Sequence, residues 1–502
     1  MSKVNLKASE VQARENRLGS ITGFEGSAKE LVEAARNGTL EDKNRSFSQC
    51  LGCSTSNAAC TTVLIQDAVT ISHGPIGCAG CLQEYAFTYR VNGRHRGLEK
   101  TKQRHIFSTN MEESDTVYGA NAKLAAAIRE VYNRLKPNAI FIITTCASGI
   151  IGDDVGGIAD QAQEELGIPV AAIFCEGFRS KIWTSGFDAG YHGIARKLIK
   201  QPEKKQDDLI NIVNFWGSDV FALWFKRIGL RVNYLTPYAT VEQIKTSSEA
   251  KATIQICSTL GSYMAAALEQ EYGVPEIRVA PPYGIDATDR WFRELGKMTG
   301  KEKEAEIFIK EEKEKWLPKI AQIKEKLKGK TAYVTAGASH GHSLLGLLRE
   351  LSMEPQGAAI FHHDPIYDNC DERSDTLQNV VRDYGDIKNY NVCNKQEFEL
   401  VNILNKVKPD ILLARHGGMT LWGAKLGIPS LLIGDEHYGM GYEGIVKYGN
   451  RILETIENDE FVKNLSKHSH NPYSKWWLSQ NPYLFLKKDA DKDYAVKSEL
   501  EE

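Results

Sequence analysis

The sequence contains no apolar run approaching the roughly 20 residues that cross a bilayer as a helix, so no membrane span is expected. It also lacks an excess of either charge: 62 Lys and Arg stand against 65 Asp and Glu, a net charge of −3. A protein that works on nucleic acid needs a basic surplus or stripe to neutralise phosphates, and none is present. No G-x-G-x-x-G opens a helix after a strand, and no G-x-x-x-x-G-K-[ST] occurs. The backbone cradles that hold nucleotide phosphates are therefore not encoded, and a nucleotide-binding role for this chain is not expected. The opening MSKVNLKASEVQARENRLGS is polar and has no apolar core segment of the secretory kind, which points to a cytoplasmic protein.

What the sequence does have is cysteine, 10 in all. Stabilising disulfides do not persist in a reducing compartment, so clustered thiols there indicate metal ligation or redox chemistry. Cys50, Cys53, Cys60, Cys78, Cys81 and Cys146 fall in the first third, while Cys175, Cys257, Cys370 and Cys393 are scattered. Scattered cysteines ordinarily serve as small buried apolar side chains. Cys50-x-x-Cys53 and Cys78-x-x-Cys81 have the form of a zinc ribbon, but the 24 residues between the pairs exceed the usual spacing. A further cysteine in TTCASGIIGDD (144–154) is more than a zinc knuckle needs. Thiolates suit zinc and iron–sulfur clusters alike, so spacing alone leaves both open.

At 502 residues the chain is too long for one core. Residues 1–45 are charged, mostly helical in character and poor in strand signals, and are expected to wrap over the body or a partner. Beyond them short β-branched runs alternate with amphipathic stretches, the pattern of parallel α/β sheets. Expected strands are AIFIITTC (139–146), IPVAAIFC (168–175), LINIVNFW (209–216), RVNYLTP (231–237), ATIQIC (252–257) and EIRVAPP (276–282). TAYVTAG (331–337), GAAIFHH (357–363), DILLAR (410–415) and PSLLIGD (429–435) complete the series. Helices are expected over 120–135 and over a long charged stretch at roughly 285–328. The reading is an α/β chain with three Rossmann-like domains at 46–205, 206–328 and 329–470, and a C-terminal tail at 471–502. Cys146, Cys175, Cys257, Gly337 and His362 all fall at strand ends, where open α/β sheets bind their ligands.

Several segments, in order, resemble nitrogenase component 1 subunits. GCSTSNAACTTVLIQDAVTISHGPIGC (52–78) is similar to the stretch that carries two ligands of the electron-relay P-cluster. FSTNMEESDTVYGANAKLAAAI (107–128) is similar to the family's TTN-x-x-E-x-D-x-V-x-G stretch. TTCASGIIGDD, CEGFR (175–179), ATIQICSTLGSYMAAALEQEYGVP (252–275), KLGIP and GYEG (441–444) follow in the family order, so the likeness covers almost the whole chain after residue 45. It implies parallel sheets around a central metallocluster cavity. Cys53, Cys78 and Cys146 would be ligands of a P-cluster-like [8Fe-7S] or [4Fe-4S] centre shared with a beta-type subunit. Cys257 would hold a complex active-site iron–sulfur cofactor of the nitrogenase cofactor or precursor type, and Gly337 would lie in its binding surface.

Departures from the pattern bear on chemistry. Nitrogenases place a Gln and a His after C-E-G-F-R; here SKIWTSGFDAGYHG puts Trp183 and Phe187 at or near those positions. The lysine that holds homocitrate falls in ARHGGMT, which has none, so the cofactor is expected to lack homocitrate or to bind another organic ligand through His416. In GIPSLLIGDEHYGMGYEG a small gap brings His437 into the role of second cofactor ligand. His340, His342, His362 and His363 follow strand ends, and imidazoles there can donate protons near neutral pH, with His342 and His362 the candidates for catalysis.

These features resemble the methylthio-alkane reductase branch of the nitrogenase-like family. That resemblance implies an α2β2 assembly with a homologous beta-type subunit, reduced by a homodimeric ATP-dependent iron protein. The C–S bond of a small thioether would be cleaved to a thiol and a hydrocarbon, and Trp183 and Phe187 suit such a substrate because sulfur–aromatic contacts are favourable. Alternatives are a cofactor-assembly scaffold, a nitrogenase alpha chain, or a zinc-stapled interaction protein. A dark-operative pigment reductase subunit is disfavoured by Cys257.

Overall fold

The runs AVTISH (68–73) and AIFIIT (139–144) are both buried along their whole length. Strands covered on both sides in this way belong to parallel sheets with helices packed above and below. The computed structural model describes residues 3–49, 52–80, 82, 93, 106–213, 219–236, 238–368, 371–433 and 439–486. Its strands are β1 (Phe24–Gly26), β2 (Ala68–His73), β3 (Ile106–Ser108), β4 (Ala139–Thr144), β5 (Val170–Ile173), β6 (Gln206–Val213) and β7 (Arg231–Thr236), followed by β8 (Ala250–Gln255), β9 (Thr331–Ala336), β10 (Glu354–Ile360), β11 (Tyr390–Val392), β12 (Ile411–Ala414) and β13 (Ser430–Leu432).

Three sheets result, with strand orders β3-β2-β4-β5, β7-β6-β8 and β1-β11-β10-β9-β12-β13. Every pairing is parallel except that of β1 with β11. Register aligns the carboxyl ends: His73 faces Thr144, Val213 faces Gln255, and Ala336 faces Ile360. The residues that follow these strands therefore project from common edges. One apolar core joins the second and third sheets through helices Ile285–Thr299, Glu302–Leu327 and Gly441–Glu457. Another joins the first sheet to the second and includes Cys257, Tyr263 and Phe361. No helix among the described residues is long and apolar enough to cross a membrane.

Two expectations are corrected. EIRVAPP is not a strand: its one ladder contact is an isolated bridge between Thr253 and Glu276, and Pro281 and Pro282 carry the chain onward without donors for a sheet. The N-terminal segment, read as poor in strand signals, holds helices Arg14–Leu18 and Ala28–Arg36 but supplies between them β1, the antiparallel edge of the third sheet. Beyond that strand, Arg45 lies buried in a two-pronged ion pair with Glu399, with Nε to Oε1 at 2.5 Å and Nη2 to Oε2 at 3.1 Å.

Candidate functional site

The first sheet presents three thiols at its carboxyl edge. Cys53 caps helix Ser54–Thr62, Cys78 lies on helix Ile76–Gly80 after β2, and Cys146 opens helix Cys146–Ile151 after β4. All three are exposed, whereas Cys60, Cys175, Cys257 and Cys393 are buried. The local reasons are visible in the motifs. His73 of SHGP is buried and reaches Thr109 Oγ1 at 3.0 Å and Asp153 Oδ2 at 2.9 Å, so one ring ties together the loops around Cys78 and Cys146. Burial lowers the basicity of His73 despite the adjacent Asp153, consistent with a neutral structural link. Thr55 Oγ1 donates between Thr144 O at 3.2 Å and Cys175 O at 3.1 Å, which docks the Cys53 helix on the ends of β4 and β5.

Gly177 of C-E-G-F-R stands between two of these thiols. A methyl group there would lie 3.3 Å from Cys53 Cβ and 3.5 Å from Cys146 Sγ. Cys53 and Cys146 thus share one cradle. Ile76, Ile150 and Phe178, from the same segments, are exposed apolar side chains around it. Cys175 by contrast is a core thiol; burial and Glu176 push its pKa up. Cys50, Cys81 and Cys370 lie outside the described residues. Among the described residues no three His, Cys, Asp or Glu side chains come close enough to hold a metal ion within this chain alone.

The second set of residues surrounds Cys257, which caps helix Ser258–Tyr272 just beyond β8 and is 2% exposed. Gly337 caps helix Ala338–Glu350 after β9, and a methyl group on it would sit 3.6 Å from Thr259 Oγ1. His362, after β10, has Nε2 3.2 Å from the same hydroxyl and Nδ1 3.1 Å from Asp364 Oδ1. Gly337, His362 and the Cys257 helix therefore meet. His342 is buried with Nε2 2.7 Å from Tyr390 OH; burial, then His363 and His362, hold it well below its ordinary pKa. His437 lies outside the described residues.

Trp183 and Phe187 are both buried and meet edge to face at 6.3 Å. Trp183 also meets His416 at 5.8 Å, and Phe361 meets His416 at 5.1 Å. Lys395 Nζ sits 4.1 Å over the Trp183 ring, a cation–π contact. Burial, with Lys395 and Arg415 beside it, holds His416 well below its ordinary pKa, so the ring is a neutral donor or ligand. Both Arg14 and Arg415 lie within electrostatic reach of Cys257. A cleft of about 420 Å³ runs from Cys53 and Gly177 to Trp183, Asn394 and Gln396. Phe361, Lys395, Arg14, Asp188 and Asp364 carry no motif and were not foreseen; only their neighbours in space give them a role.

The donor chemistry fits iron–sulfur clusters at both places: exposed thiols around a glycine cradle at one, and a buried thiol within electrostatic reach of two guanidinium groups at the other. These features define an α/β protein with strand-end thiol centres. Residues 53–457 match the family model described as nitrogenase component 1 type oxidoreductase, and the chain belongs to that family. It is 29% identical over 467 residues to the nitrogenase iron-molybdenum cofactor biosynthesis protein NifE of Methanococcus maripaludis, covering 88% of this chain and 91% of that protein. It is 31% identical over 392 residues to the nitrogenase molybdenum-iron protein alpha chain of Clostridium pasteurianum, covering 73% and 71%. The solved structure "Nitrogenase Cp1 at pH 6.5" superimposes with a TM-score of 0.69 at 23% identity, covering 86% and 93%, which shows the common fold.

Proposed function

We propose that the chain is the cofactor-bearing alpha-type subunit of a nitrogenase-like iron–sulfur reductase that cleaves the C–S bond of small methylthio-alkanes. The observation that carries this reading is the contact group of Trp183, Phe187, Phe361 and His416, three of whose rings share an apolar core with Cys257. Cys53, Cys78 and Cys146 would hold the relay cluster, with the remaining ligands from a beta-type subunit covering Ile76, Ile150 and Phe178. Cys257 would hold the active-site cofactor, with His437 as its second ligand. Bound there, and fed by an ATP-dependent iron protein, the clusters supply low-potential electrons one at a time.

The chain's own contribution is positional. Trp183 and Phe187 present apolar surface where proton-donating side chains would favour dinitrogen, and their rings suit a thioether sulfur. His362 places Nε2 3.2 Å from the Thr259 hydroxyl. The test is the purified complex with its reductase, assayed on dimethyl sulfide and on dinitrogen. Methane from dimethyl sulfide is expected; ammonia without methane overturns the assignment. A second reading, cofactor assembly, is favoured by the similarity to NifE across nearly the full length of both chains. Under His437→Ala a catalytic subunit loses cofactor or activity, whereas a transit scaffold barely changes.

A further inference from the structure

We propose that Arg14 is a positioning residue for the site: its single buried guanidinium bonds to the residue after Phe187, to the second residue after Cys257, and to the second residue after His362. The inference rests on the reading of those three side chains given above. Nε and Nη2 donate to Asp188 Oδ2 and Oδ1 at 2.8 Å each. Nη2 also donates to the carbonyl of Thr259 at 2.6 Å, and Nη1 to Asp364 Oδ2 at 3.1 Å. Arg17 adds a second cation on Asp188 at 2.5 Å. The walls contributed by helices Ser185–Leu198 and Ser258–Tyr272 and by the loop after β10 thus converge on one side chain.

The contacts close a ring. Asp364 Oδ1 accepts from Ser20 Oγ at 2.5 Å and lies 3.1 Å from His362 Nδ1. His362 Nε2 lies 3.2 Å from the hydroxyl of Thr259, whose carbonyl is held by Arg14. Burial would raise the Asp364 carboxyl, but His362 and Arg14 hold it ionised. An ionised Asp364 can only accept, so it takes the N–H of His362 Nδ1 and leaves Nε2 turned toward the hydroxyl of Thr259, on the side of the Cys257 helix. His363, His342 and Asp368 are the other titratable groups facing His362. A planar fork can serve three acceptors in fixed directions; an ammonium on a flexible stem cannot.

The test uses the full complex with its reductase, carrying Arg14→Lys, Arg14→Gln or Asp364→Asn. Three quantities are read: bound iron, the pH dependence of the cofactor's paramagnetic resonance signal, and electron flux to dihydrogen without added thioether. Iron is expected to be retained, the pH dependence to move in all three variants, and the flux to fall at least about tenfold, the scale of a misplaced catalytic group. Wild-type pH dependence and flux in iron-loaded variants overturn the proposal. So does loss of iron in both Arg14→Lys and the milder Ser20→Ala, which assigns the network to folding alone. Protons need only the same reductant, so a wrong thioether assignment leaves this test intact.

Discussion

Replacing Gly186 with alanine should cost the relay centre its iron. Gly186 lies in helix Ser185–Leu198, pressed against helix Ser54–Thr62, the helix that Cys53 caps. A Cβ at this position would stand 2.0 Å from Ser54 O, 2.8 Å from Ser54 C and 2.9 Å from Ala58 N. Ordinary contact begins near 3.4 Å, so the shortfall is about 1.4 Å, and every atom involved is backbone that no rotamer change can move. The two helices must part. Overpacking of this kind costs about 3 kcal/mol, the upper part of the usual range, because no flexible side chain relieves it. The displacement falls on the turn that carries Cys53 and should draw its thiol away from Cys146 across Gly177. Gly156→Ala is the control: its nearest neighbour would be Phe174 Cζ at 3.8 Å, and alanine there should stabilise its helix by up to about 1 kcal/mol. The assay is iron content of the purified complex with hydrogen exchange across residues 54–62. Full iron and undiminished protection in Gly186→Ala would refute the packing argument.

Arg45→Ala leaves Glu399 buried without its partner and should destabilise the fold by about 3–5 kcal/mol in urea unfolding; a loss under about 1 kcal/mol contradicts this. Burial pushes the Glu276 carboxyl up to about 7 from its ordinary 4.5. Between those values the folded state keeps a proton that the unfolded state releases, so stability falls as pH rises through that window, by about 3 kcal/mol. Glu276→Gln should remove that fall, matching the parent at pH 5 and exceeding it at pH 8; equal stability at both refutes the assignment. Trp183→Leu forfeits a sulfur–aromatic contact of about 0.3–1.5 kcal/mol, so KM for dimethyl sulfide should rise by up to about tenfold while dihydrogen evolution is unchanged. An unaltered KM in initial-rate assays counts against the pocket.

Strands that are buried on both faces were legible because their sequence is: β4 and β5 are unbroken apolar runs ending at a cysteine. The placement of Cys146 and Cys175 at strand ends followed from those runs alone. EIRVAPP has the same local look, but its neighbours leave it one bridge, with Ile277 N donating to Thr253 O at 2.8 Å, so pattern without a partner does not make a strand. β1 is the converse. Three residues with no alternation become a strand because β11 offers an open edge. Arg14 was beyond any sequence reading, since its partners lie 174 and 350 positions away. Its function exists only once the three sheets are assembled.

That same N-terminal arm bears on the choice between a resident cofactor and one in transit. A scaffold has to open to release its cluster, and opening the third sheet from the first and second would break either the arm's ties to the third sheet or its ties to the other two. These ties are the β1–β11 ladder, the paired backbone bonds of Ile21 and His363, the Arg45–Glu399 pair, and the Arg14 bonds to Asp188, Thr259 and Asp364. Three of these are buried ion pairs, and separating such a pair is far costlier than separating one on the surface, because each charge is stranded in a low-dielectric interior. A chain built to hand its cofactor on would gain from a looser clasp, with its charges at the rim where salt screens them. On the proposed reading, these buried pairs serve retention and turnover rather than transfer. Rapid cofactor loss from the intact complex at low ionic strength, with the arm still protected from hydrogen exchange, is the result that would reverse this order of preference.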